Sequence, residues 1–190
     1  MSVASENQIL CWTTIPTAWG NCGIFWKSDK LCRIVLPGLT DDELRCELLK
    51  DHPLAHESRV TPTWFADLLR FLQGYYANSP HDCTVLLRNC LDWSQVSAFC
   101  RRVLEMTCRI ERGQVRTYGA IAKELGNAKA SRAVGAALGS NPWPLVVPCH
   151  RVVGAKGQMT GFSAQGGVET KRRMLAMEAQ RSPIGSRLNF

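Results

Sequence analysis

The two halves of this chain carry opposite charge. Residues 1–95 hold 8 basic and 11 acidic side chains, a net −3, while residues 96–190 hold 15 basic and 5 acidic, a net +10. The change of sign predicts a domain boundary near residue 90, with domains over 1–90 and 91–190. It also points to a polyanionic partner, nucleic acid, for the second. At 190 residues the chain is long enough to bury roughly 70% of its unfolded surface, so two small cores are feasible. Hydrophobic residues at 45% and charged residues at 21% exclude a disordered or fibrous chain. No apolar run approaches the roughly 20 residues of a membrane span. The first ten residues contain no Lys or Arg, hence no basic signal-peptide region. The expected setting is cytoplasmic, at the nucleoid, or nuclear in a eukaryote, with no membrane partner.

Nine cysteines, an odd number with no C-x-x-C pair, exclude a disulfide scaffold. Cys22, Cys32, Cys46, Cys83, Cys100 and Cys108 lie in apolar stretches and read as buried thiols. His52 and His56 are four apart, but Pro53 lies between them and no cysteine is near, so no metal site is expected. Nothing in the sequence calls for a cofactor.

Residues 9–15, 22–27 and 31–36 alternate with turn residues and predict an antiparallel meander. Thr40 and Glu43 are spaced as a capping box for a helix over 41–50. Thr61-Pro62 predicts a second start, and Gly74 its end. Residues 83–91 read as a further strand. From 94 on the pattern is helical, with Val96, Phe99, Cys100, Val103, Met106 and Ile110 on one face. Short helices over 118–125 and 129–138, joined by a turn at Gly126, predict a helix-turn-helix.

The second of these helices has an unusual stripe. Arg132, Gly135, Ala136 and Gly139 follow i, i+3, i+4, i+7 spacing, one long side chain on a nearly bare backbone. Interior Gly costs about 0.5–1 kcal/mol relative to Ala, so the stripe needs a reason. Close packing of another helix is one. Approach to a nucleic-acid groove, with Arg132 inserted into the minor groove, is the other. The spacing does not choose between them.

Residues 141–153 hold three prolines in seven positions before Cys149-His150-Arg151. Proline fixes φ, so this lead-in is rigid. A thiol beside His and Arg can have a depressed pKa. Adjacency alone does not make a dyad, because neighbouring side chains usually diverge.

Pro148-Cys149-His150-Arg151-Val152, preceded by Asn141-Pro-Trp-Pro, resembles the active-site signature of the O6-alkylguanine-DNA alkyltransferases, the methylated-DNA–protein-cysteine methyltransferase family. The resemblance runs from about Ser97 to Glu178. It includes Gly113-Gln-Val-Arg-Thr-Tyr118, Ala130-Ser-Arg132-Ala-Val-Gly, and Gly161-Phe-Ser163 before Lys171. It implies an α/β protein: a small ribonuclease H-like α/β domain with an antiparallel sheet, then a helical domain with the helix-turn-helix. The implied partner is duplex DNA with alkylated bases, bound by a monomer through the minor groove and read by base flipping. On that pattern Cys149 takes the alkyl group from guanine O6, with thymine O4 as the second candidate. His150, through a water, takes the thiol proton and is oriented by Glu178. Tyr118 crowds the phosphate and protonates the leaving base, and Asn141 braces the turn. Arg132 fills the vacated stack. Ser131, Ala133, Gly135, Ala136 and Arg151 fall on the implied DNA-binding surface, and Val152, Phe162, Ser163 and Trp143 on the base pocket. Many members have Tyr where this chain has Phe162, which keeps a pocket wall and removes a hydroxyl. Two other classes compete: a Cys-His hydrolase or acyltransferase, which would need an oxyanion hole, and a module that binds alkylated bases without transfer.

Overall fold

The computed structural model describes residues 9–79 and 87–180, and the chain divides into two compact units, residues 1–95 and 96–190. The division falls a few residues beyond 90 for a local reason. Leu91 bridges Leu31, and the Asp92 N–H donates to the Leu31 carbonyl at 3.0 Å, tying this stretch to the first unit.

In the first unit β1 (Leu10–Thr17), β2 (Gly20–Lys27) and β3 (Lys30–Val35) form the antiparallel meander. The expectation of an antiparallel sheet fails at the fourth strand. β4 (His56–Glu57) runs parallel to β1, and the mixed sheet has the order β3-β2-β1-β4. A parallel neighbour needs a crossover, and helix α1 (Asp41–Leu49) occupies it. Both halves of the Thr40–Glu43 capping box are present. Leu44 and Leu48 of α1 pack with Trp12 and Phe25 of the sheet. Gly23 permits that approach, since a Cβ there would lie 2.7 Å from Leu48 Cδ2.

Helix α2 (Phe65–Tyr76) departs from expectation at both ends. It starts after Trp64, whose indole N–H donates to the Asp29 carbonyl at 2.6 Å and holds the helix start there rather than at Thr61. It runs through Gly74 because Tyr75 and Tyr76 are buried beyond it. Burying two aromatic rings outweighs the cost of one helical glycine. Of the strand expected over 83–91, residues 83–86 lie outside the described residues, and 87–91 form a helical turn and one bridge residue.

In the second unit α3 (Ala98–Thr107) is capped by Ser97 and buries Cys100, Val103, Leu104 and Met106. Phe99 is 38% exposed, so Leu104 takes its expected place in the core. Thr117 caps α4 (Tyr118–Glu124), and α5 (Ser131–Gly139) follows, giving the helix-turn-helix. A two-residue parallel pairing joins β5 (Arg116–Thr117) to β6 (Val152–Val153), and α6 (Gly167–Ala179) closes the unit. The eight described cysteines are free thiols. Cys22, Cys100, Cys108 and Cys149 are buried, Cys32 is half-buried, and Cys46, on the outer face of α1, is exposed. Cys83 lies outside the described residues. Among the described residues no helix is long and apolar enough to cross a membrane.

Candidate active site

The proline-rich lead-in builds a rigid support under one thiol. Leu145 sits at φ +75°, a left-handed conformation that costs a branched residue on the order of 1–3 kcal/mol. The Val147 N–H donates to the Trp143 carbonyl at 2.8 Å and closes the loop. Asn141 spans it: its amide donates to the Val147 carbonyl at 3.0 Å and its oxygen accepts the Trp143 N–H at 3.0 Å. Cys149–Arg151 then make a single 3-10 turn, with Cys149 8% exposed and His150 1%. Burial pushes the Cys149 thiol up, opposed by the Asn141 side chain and the Lys171 charge. The resting sulfur is therefore a thiol.

Behind it, His150 Nε2 lies 2.9 Å from Glu178 Oε1. Glu178 is fully buried and also accepts from the Gly113 N–H at 3.1 Å and, on both oxygens, from the Arg151 guanidinium at 2.9 Å. Gly113 can turn its N–H inward because it adopts φ +76°. Burial raises the Glu178 carboxyl, but His150 and Arg151 together hold it well below the ordinary carboxylate range. A carboxylate can only accept, so the imidazole must carry its proton on Nε2, leaving Nδ1 with the lone pair. Burial pushes His150 below its ordinary value, against the opposing pull of Glu178. The ring rests neutral, in the tautomer a general base needs.

Tyr118 opens α4 directly after β5, whose pairing with β6 brings it beside the cysteine turn. Its hydroxyl donates to the Thr160 carbonyl at 3.2 Å, and burial raises its pKa first of all. Lys171 of α6 is fully buried. Its ammonium donates to the Val152 carbonyl at 2.6 Å, the Thr160 carbonyl at 3.2 Å and the Tyr118 hydroxyl at 3.4 Å.

In front of the thiol is an open pocket of about 690 Å³, lined by Tyr118, Cys149, Phe162 and Ser163 among others. One wall is the face of α5, through Ser131, Arg132, Gly135, Leu138 and Gly139. A Cβ at Gly135 would meet only the Tyr118 ring, at 3.8 Å, and one at Gly139 would meet nothing within 4 Å. Arg132 and Ala136 of the stripe are exposed, as is Ala133 further around the helix.

Three expected placements need correction. Trp143 is fully buried beneath the turn and Val152 is fully buried with its carbonyl held by Lys171, so neither lines the pocket. Arg151 is not a surface cation: its third nitrogen donates to the Ile110 carbonyl at 2.7 Å and its side chain is 13% exposed. Sequence reasoning missed the Gly113 N–H, the Ile110 and Thr160 carbonyls, and the burial of Lys171. Backbone acceptors leave no mark in side-chain identity. Lys171 does leave one, as a cation on the same helical stripe as Met174, Leu175 and Glu178.

Residues 98–180 match the family model for 6-O-methylguanine DNA methyltransferase, DNA binding domain. The chain is 41% identical over 124 residues to a methylated-DNA–protein-cysteine methyltransferase of Mycolicibacterium paratuberculosis, covering 64% of this chain and 70% of that one. A Shigella flexneri protein of the same name is 51% identical over 80 residues, 42% of this chain and 46% of that one. Among solved structures, the Mycobacterium tuberculosis O6-methylguanine methyltransferase superposes with a TM-score of 0.70 at 30% identity, covering 92% of this chain and 96% of that one. The homologue from Pyrococcus kodakaraensis gives 0.65 at 26%, covering 90% and 99%. The chain belongs to the methylated-DNA–protein-cysteine methyltransferase family.

Proposed function

We propose that this protein repairs DNA by direct reversal, moving the alkyl group from guanine O6 in a duplex onto its own Cys149. The observation that carries the reading is one buried thiol at the floor of an open pocket, backed by a neutral imidazole on a buried carboxylate and walled by a helix-turn-helix. In the reaction the Cys149 sulfur forms a bond to the alkyl carbon as the carbon–O6 bond breaks. The thiol proton passes to His150 Nδ1, through a water on the family pattern. The electron pair leaves with the guanine, which takes a proton from Tyr118. Lys171, donating to the Tyr118 hydroxyl, favours the phenolate that remains.

DNA is the partner, and the bare stripe on α5 fits the minor groove, where one arginine can enter a vacated stack. On this reading Arg132 fills the space left by the flipped base, and Ser131, Ala133, Gly135 and Ala136 let the backbone approach. The protein acts as a monomer in the cytoplasm, or the nucleus of a eukaryote. A thioether has no acyl carbon for water to attack, so each molecule acts once.

The test is intact mass after incubation with excess methylated duplex. One methyl per active protein, mapped to the peptide holding Cys149, is the expected result. Release of repaired DNA beyond that plateau would favour a turnover enzyme. Tight binding with the methyl retained on the DNA would leave a recognition module.

A further inference from the structure

The family resemblance puts Arg151 on the DNA interface, yet its guanidinium faces inward. Nε donates to Glu178 Oε2 and Nη2 to Oε1, both at 2.9 Å, while Nη1 holds the Ile110 carbonyl at 2.7 Å. That is a fork on both oxygens of the carboxylate that also receives His150. We propose that Arg151 is a positioning residue of the alkyl-transfer site: by gripping both oxygens of Glu178 it aims the carboxylate at His150 Nε2. The proposal rests on the reading above, in which His150 accepts the Cys149 proton.

The physical case is one of charge balance. A buried carboxylate whose only partner is an imidazole stabilises the imidazolium, and the adjacent thiol then rests as a thiolate–imidazolium pair. Here the carboxylate is already compensated. The charged groups facing His150 are Glu178 and Lys171 from α6 and Arg151 from its own turn, with the Cys149 thiol beside it. One anion between two cations leaves no electrostatic room for a third. A neutral dyad keeps the thiol protonated until a substrate fills the pocket. Orientation follows from the same fork. With the Gly113 N–H it fixes the carboxylate plane, and so the direction from which the Nε2 proton must come.

The experiment compares the full-length protein with Arg151→Met. Three quantities are read: the pH dependence of Cys149 alkylation by iodoacetamide, the ¹⁵N shifts of the His150 ring, and affinity for duplex DNA. The expected result is an upward move of the His150 protonation midpoint by on the order of one pH unit, as for removal of a like charge in direct reach. Iodoacetamide alkylation of Cys149 should persist to lower pH, because more of the sulfur rests as thiolate, with DNA affinity unchanged. Lost affinity with an unmoved midpoint would overturn the proposal and return Arg151 to the DNA interface. If Arg151→Met does not fold, Arg151→Lys decides. One ammonium cannot grip both oxygens, so slowed transfer supports the proposal, and wild-type rate and midpoint reject it. Failure of the wild type to accept methyl from duplex would sink the alkyl-transfer reading alone, because the iodoacetamide profile does not use DNA.

Discussion

Cys149 is held as a thiol by burial, so its reactivity depends on where the proton can go. Glu178→Gln removes the carboxylate that fixes the His150 tautomer. Methyl transfer per folded molecule should slow by about 10²-fold, the low end of what a positioned base contributes. DNA affinity should stay, and single-turnover kinetics beside a binding titration check both. The same variant leaves Arg151 facing a neutral amide, so it should lose on the order of 3–5 kcal/mol of stability, read from denaturant melts. The acid response follows from the same pair. His150 lies below its ordinary value in the folded state, so the unfolded chain binds that proton first, and stability falls as pH drops below about 6.5. Glu178 is also lowered, so its contribution is complete above about 4.3 and drains away at lower pH. Two successive losses on acidification are expected. His150→Phe should erase the first, and an unchanged profile in that variant would show that another group titrates there.

On the scale of single elements, the bare stripe of α5 is where sequence and structure together say more than either alone. The i, i+3, i+4, i+7 spacing of Arg132, Gly135, Ala136 and Gly139 is visible in the sequence, but it fits helix packing as well as groove approach. Among the described residues the structure offers no packing partner at Gly139, where an added Cβ would meet nothing within 4 Å. Gly139→Leu should therefore leave the melting temperature nearly unchanged while weakening duplex binding. Equal affinity would mean that the stripe does not enter the groove. Arg132→Ala should impair repair of duplex more than transfer from a free alkylated base, because the arginine acts on the stack and not on the thiol. Other elements show why legibility ran out. The Thr40 cap was readable because its partner is three residues away. The start of α2 was not, because Trp64 is held by the carbonyl of Asp29, 35 residues distant. Arg151 misled for the same reason: its partner, Glu178, is 27 residues on, and only the fold converts a cation beside a reactive thiol into a buried clamp. Cys149 and His150 were legible through the resemblance of Pro148-Cys149-His150-Arg151-Val152 to the family signature, since adjacency alone does not make a dyad.

For the whole molecule, charge decides how the protein finds its substrate. Four of the five acidic residues in the C-terminal half each hold an arginine: Glu105, Glu124, Glu169 and Glu178. The net +10 of that half is thus cation left over after internal pairing has absorbed almost every carboxylate. Lys123, Lys129 and Arg132 lie exposed along the helix-turn-helix, and Arg132 also lines the pocket beside α5. Each phosphate they neutralise releases condensed counterions and adds about −0.9 to the slope of log affinity against log salt. Affinity for undamaged duplex should accordingly fall steeply as salt rises. It should show little sequence preference, since α5 presents one long polar side chain where a major-groove reader presents several. The reaction at the sulfur should behave differently. Cys149, His150 and Glu178 are buried and lie beyond the reach of bulk screening, so alkylation of Cys149 by a small neutral electrophile should be nearly independent of salt. Measured side by side on one preparation, the two salt profiles separate DNA encounter from chemistry. Parallel decline would mean that salt disturbs the site itself, and a flat DNA profile would remove the polyanion partner that the charge asymmetry predicts.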